Sequence, residues 1–146
     1  MATAFLTLSD AVLAMLQQAP ALAGGNIRRG RRIPVPENVD QAIDVHVERS
    51  AGQMTDLDGS GLAWDTGIAI DLYARAADGT DAEQAIDTLL AAVAERIAAA
   101  TPPNDVMSWL LDPSIQWELD EADDTLVQAS LLLRVQHLTD AEFAPA

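Results

Sequence analysis

The sequence predicts an α+β fold: a four- to five-stranded mixed or antiparallel sheet with two main helices packed on one face. Three observations carry this. Four segments alternate apolar and polar residues with a period of two, and two others space their apolar residues as a helix does. The chain has 146 residues and 49% hydrophobic content. That suits one core and a single domain over residues 1–146.

The first helix is expected from Leu8 to Gln18, with Thr7 or Ser9 as its cap and Leu8, Val12, Met15 and Leu16 as its apolar stripe. Pro20 and the Gly24–Gly25 pair end it. Asn26 to Arg32 reads as a short edge strand whose arginines discourage edge-to-edge aggregation, and Pro34 and Pro36 break pairing after it. The next strand sets Ile43, Val45 and Val47 against Asp44, His46 and Glu48. The following one sets Ile68, Ile70, Leu72 and Ala74 against Asp71, Tyr73 and Arg75.

Between these two strands, Ala51 to Gly61 is rich in Gly, Asp and Ser and reads as a flexible loop. The second helix opens with a capping box at Thr80-Asp81-Ala82-Glu83. It carries Ile86, Leu89, Leu90, Val93 and Ile97 on one stripe and stops at Thr101-Pro102-Pro103. A short helical turn is expected around Val106 to Leu111. Two strands follow, the first with Ile115, Trp117 and Leu119 inward. The second has Val127, Ala129, Leu131, Leu133 and Val135 inward, and residues 141–146 form a loose tail. Clean alternation implies one buried sheet face, under the helices, and one wet face.

The formal net charge is −15. Non-specific binding to nucleic acid or an anionic membrane is disfavoured, because both surfaces repel such a chain. All eight basic residues are arginine, and Arg28, Arg29, Arg31 and Arg32 fall in one stretch. A surface this asymmetric favours head-to-tail contact between identical subunits. With no cysteine, disulfides and thiolate metal sites are excluded. The apolar N-terminus resembles a signal peptide, but no Lys or Arg precedes the run, so it is expected to stay as an amphipathic helix. No segment reaches the ~18 uninterrupted apolar residues of a membrane span, and a soluble protein is expected.

Motifs of catalysis are present only in fragments. Asp65-Thr66-Gly67 matches the aspartic-protease triplet, in which two carboxylates share a proton. The apolar pair followed by glycine that this family needs downstream is missing, since no glycine follows Gly79. Asp56, Asp58, Ser60 and Gly61 fit an EF-hand loop until its twelfth position, where a bidentate Glu is required and Gly67 stands. Asp44, His46 and Glu48 share one strand face, as metal ligands do, yet polar side chains are ordinary on a wet face. His137, near the end of the last strand, reads as structural. There is no Gly-x-Ser-x-Gly, no phosphate loop and no lysine, and no aromatic residue interleaves the arginines. The expectation is a protein that is not an enzyme and uses no metal or cofactor. Trp64, Trp109 and Trp117 read as core or interface anchors.

The order of elements resembles that of a known family. A helix leads to the basic edge Gly25-Asn26-Ile27-Arg28-Arg29-Gly30-Arg31-Arg32, then a polar loop and the strand Trp64-Asp65-Thr66-Gly67-Ile68-Ala69-Ile70-Asp71-Leu72-Tyr73-Ala74-Arg75. A capped helix follows, then Asp120-Glu121-Ala122-Asp123-Asp124-Thr125 and a long strand ending Arg134-Val135-Gln136-His137. This layout is similar to the tail-terminator (minor tail protein U-like) family of siphophages and prophages, over nearly the whole chain.

The resemblance implies a ring, typically a hexamer, that caps the tail tube, stops its polymerisation and joins the tail to the head connector. DNA would pass through the ring's centre without specific binding. Its implied partners are further copies of itself, the tube protein and a neck protein. Its implied place is the head-proximal tail of the virion, after assembly in the host cytoplasm. The family supplies no catalytic motif, so the candidate residues are interface residues: Arg28, Arg29, Arg31, Arg32, Asp56, Asp58 and Trp64. Two other readings fit the same surface, a different head–tail joining or tail-completion protein and an acidic inhibitor of the DNA-mimic or immunity type.

Overall fold

The computed structural model describes residues 2–30, 35–119 and 125–145. Its architecture is α+β, with one six-stranded sheet and two main helices. In chain order the elements are α1 (Ala4–Gln17), β1 (Ile27–Arg29), β2 (Gln41–Met54), β3 (Gly61–Arg75), α2 (Ala82–Ala99), β4 (Val106–Leu111), β5 (Gln116–Leu119) and β6 (Leu126–Asp140). The sheet order is β1-β2-β3-β6-β4, and β5 also pairs with β6. β1 runs parallel to β2, and every other pairing is antiparallel. The three central strands of 14 to 15 residues extend about 50 Å.

The core lies between the helices and one sheet face. It combines Leu8, Val12 and Leu16 of α1 with Ile86, Leu89 and Val93 of α2, over Ile43, Val45, Ile68, Ile70, Leu72, Leu131 and Leu133. These are the stripes that the sequence periodicities predict. α1 begins four residues earlier than expected. Ala4 is fully buried and its N–H donates to the Phe143 carbonyl, while Ser9, an expected cap, is buried inside the helix. α2 is capped one residue later than expected: Asp81 accepts from the Gln84 N–H, and the Gln84 side chain accepts from the Asp81 N–H.

Four other expectations are corrected. Val106–Leu111 is a strand, not a helical turn; a bulge between Val106 and Ser108 breaks its alternation and leaves a helix-like spacing in the sequence. The expected loop Ala51–Gly61 is mostly ladder, since β2 continues to Met54, pairing with Leu62, and only residues 55–60 turn. The wet face is not wet throughout. Ala42, Tyr73 and Leu126 form a second small core beneath Val35 and Val39, and Asp44 is 0% exposed. The stretch Ile115–Leu119, expected to be inward, is exposed, because neither helix covers that edge.

Two arginines join the parts. Arg75 donates to the carbonyls of Val35, Pro36 and Val39, fixing the loop over the second core. Arg96, in the last turn of α2, donates to the carbonyls of Met15 (3.2 Å), Leu16 (3.3 Å), Gln18 (2.9 Å) and Pro20 (2.6 Å). It therefore supplies donors to the last carbonyls of α1 and to the segment that follows, Met15 O also accepting from the Gln18 N–H. Replacing it, Arg96→Ala, is expected to cost about 2 kcal/mol of stability. A urea titration should show a lower midpoint with an unchanged slope.

Candidate interaction surfaces

The candidate residues do not converge on one place. Arg28 and Arg29 lie on β1, at the level of Asp44 and Val45 of β2. Asp56 and Asp58 sit in the turn after Met54, nine residues further along β2, or about 30 Å away. Arg31 and Arg32 lie outside the described residues.

Both described arginines of the cluster have partners in their own chain. Arg28 pairs with Asp44, whose side chain has no exposure, and Arg29 pairs with Asp10 of α1. The two pairs differ in kind. Burial pushes the Asp44 carboxyl above its ordinary value, and the hydrogen bond and charge of Arg28 pull against that. Arg28 is thus the counter-charge of a buried acid. The second pair is half-open to solvent on both sides (40% and 51%), where ion pairs contribute little.

The turn organises itself. Asp58 Oδ1 accepts from the Ser60 N–H at 3.0 Å, which holds the Asp58 carboxyl below its ordinary value. Asp56 accepts from the Ser60 hydroxyl. Gly59, at φ +73°, supplies the left-handed residue that the turn needs. Leu57 and Met54 project into solvent beside these acids. Met54, Leu57 and the two aspartates make the tip apolar and acidic together.

Trp64 is an internal anchor as much as a surface group. It meets Phe5 and Phe143 edge-on, at centroid distances of 5.1 and 5.8 Å, and its indole N–H donates to Thr139 Oγ1. A Cβ on Gly52 would stand 2.5 Å from its ring, so glycine is required below it. His137 lies against the same Phe5 ring, fully buried, with Nε2 2.7 Å from the Thr66 hydroxyl, which in turn meets Ser50.

The protease-like triplet is structural at each position. Asp65 pairs with Arg134, Thr66 belongs to the buried chain with His137, and a Cβ on Gly67 would come within 2.9 Å of Leu132. On the open sheet face, a hollow of about 730 Å³ holds His46, Glu48, Asp71, Asp112 and Ser130. Ser130 donates to Asp71 at 2.7 Å, and His46 Nδ1 is 3.9 Å from the same carboxyl. The hydroxyl therefore meets an acid rather than the imidazole, which is not the connectivity of an activated nucleophile. Among the described residues, no group of three or more His, Asp or Glu is placed to hold a metal, and no helix is long and apolar enough to cross a membrane.

Sequence reasoning missed one surface. Beside the first turns of α2 lies a groove of about 590 Å³, with Ile86, Trp117 and Leu119 as its apolar walls and Glu83, Asp87 and Glu118 as its acids. Trp117 is 53% exposed and Leu119 71%. Alternation placed both inward, Trp117 being read as a core or interface anchor, and the position of the helices leaves both exposed.

Two measurements check this partition. Arg28→Ala is expected to cost about 3–5 kcal/mol, because it strips a buried acid of its partner, whereas Arg29→Ala should leave the denaturation midpoint nearly unchanged. The second concerns His137, whose burial holds it below its ordinary 6.5, against a smaller upward pull from Asp105. Below about pH 6.5 the unfolded chain takes up a proton that the folded chain refuses, so this residue lowers stability as pH falls. Asp44 acts with the opposite sign nearer 3.8. The loss below about pH 6.5 should flatten in His137→Gln, read as the difference between the two pH–stability curves.

Neither a protein-family model nor a curated protein matches the sequence. Among solved structures, a chain in the virion of a native gene transfer agent (GTA) particle is similar, with a TM-score of 0.58 and 18% sequence identity. The match covers 94% of this chain and 100% of that one. At that identity the shared property is the fold: both chains build the same α+β layout from end to end.

Proposed function

We propose that this chain is a structural subunit of a phage-like particle. In it, identical copies form a ring, a hexamer on the family resemblance, that caps the tail tube and links the tail to the head connector. The observation that carries the reading is the end-to-end likeness to a chain of a gene transfer agent virion. Two features of the molecule support it. Among the described residues the sheet keeps open edges and an exposed groove with apolar walls, as a subunit that is completed by neighbours would. The charge is also fitting, since six copies at −15 each carry about 90 negative charges, and a bore of that sign repels DNA and lets it slide.

In this reading Asp56, Asp58, Met54 and Leu57 present the hairpin tip to the tube, and Trp64 stiffens the hairpin behind it. The protein performs no reaction. An acidic inhibitor, the other class suggested by the charge, would act as a small species occupying a basic site on its target.

Deleting the gene in a particle-producing strain and imaging the particles by electron microscopy tests the proposal. Tails of unregulated, excessive length, restored to normal by the wild-type chain, are expected. Normal tails on complete particles would refute it.

A further inference from the structure

The geometry points to one contact between neighbouring copies: the β1 edge of one chain adds to the β5 edge of the next, continuing the sheet from subunit to subunit. This rests on the ring reading above and names the surfaces that build it.

Among the described residues β1 pairs only with β2, and β5 only with β6, so each leaves one edge of its backbone open. The two edges stand at the same height in the sheet. One cross-strand row runs Arg28, Asp44, Asp71, Ser130, Gln116, and the next runs Ile27, Ile43, Leu72, Ala129, Trp117. Their directions also agree. β1 follows β2, which runs with β6, and β5 opposes β6. A rotation about an axis roughly along the strands thus brings β5 of one copy beside β1 of the next in antiparallel sense. The Ile27 carbonyl at the β1 edge has a side-chain contact with the Gln17 amide only at 3.5 Å, a bond that an incoming strand readily replaces.

Charge agrees with this pairing. Glu118 on β5 and Glu83 and Asp87 of α2 beside it gather acids at one edge, whereas the arginines of β1 are matched by Asp44 and Asp10, so β1 brings no excess negative charge to meet them. Two β5 edges set these acids against their own copies, which disfavours a two-fold dimer through that edge. The β1–β5 contact avoids that repulsion. It also removes Trp117 and Leu119 from water, against the Ile27 side of the neighbour and its α1. Exposed tryptophan at the centre of such a groove is the usual form of an interface anchor.

The chain has no cysteine, so a designed pair reports the contact cleanly. Arg29→Cys combined with Ile115→Cys places one thiol beside each edge and leaves Arg28 and Glu118 in place. Within one chain the two edges are four strand steps, about 19 Å, apart, beyond the ~7 Å limit of a disulfide. Any disulfide is therefore between copies. Mild oxidation of the double variant should give a ladder of covalent oligomers that ends at one closed species and collapses on reduction. Arg29→Cys with Leu110→Cys on β4, the control, should give none.

A missing ladder, or one equal to the control, while the wild-type chain still forms rings by electron microscopy, overturns this contact and leaves the ring reading standing. If the wild-type chain forms no ring, alone or on tail tubes, and the ladder is absent, both fall.

Discussion

A sheet in water is stable only where something apolar covers it, and here the cover is narrower than the sheet. α1 and α2, of 14 and 18 residues, are about 21 and 27 Å long. They lie over the middle of strands about 50 Å long. Beneath them Ile43, Ile68, Ile70, Leu72 and Leu133 lose all contact with solvent. Beyond them the same alternation continues into β5, yet Trp117 and Leu119 stay in water. The fold thus holds itself together in its centre and leaves the apolar side chains of its β5 margin exposed. Edge strands with large apolar side chains are a hazard for a monomer and a resource for a subunit.

This distribution explains what the sequence could convey. The first half of β2, β3 from Ile68, β6 and the stripe of α2 were legible, because their residues obey one period and are buried by it; the second half of β2 was not, since it follows a bulge between Val47 and Arg49 and is exposed. β4 was not, since its bulge replaces alternation with an apparent helical spacing. The exposure of β5 and the burial of Asp44 were equally invisible. Both depend on what lies across the sheet rather than along the chain: the edge of the helical layer in one case, Arg28 on β1 in the other. The arginine cluster was visible as composition. Its division into a buried counter-charge at Arg28 and a half-exposed pair at Arg29 follows from the parallel register of β1 on β2, which no local pattern encodes.

The few positive charges are largely committed inside the molecule. Arg28 compensates a buried acid, Arg75 holds a loop, Arg96 closes the end of α1 and Arg134 answers Asp65. What remains outside is strongly acidic, so identical copies repel across most of their surface. In the proposed ring the β1 edge, whose arginines are matched within their own chain, meets the acidic β5 edge, a heterologous contact of the kind that generates rings or filaments rather than pairs. The mutual repulsion of the remaining surface then acts against stacking and other unplanned association.

Sedimentation velocity of the intact chain over a wide concentration range tests this most directly. A monomer in equilibrium with one larger species of fixed stoichiometry, a closed ring, is expected. A two-fold dimer as the end state would contradict it, because a contact between two different edges does not close on two copies.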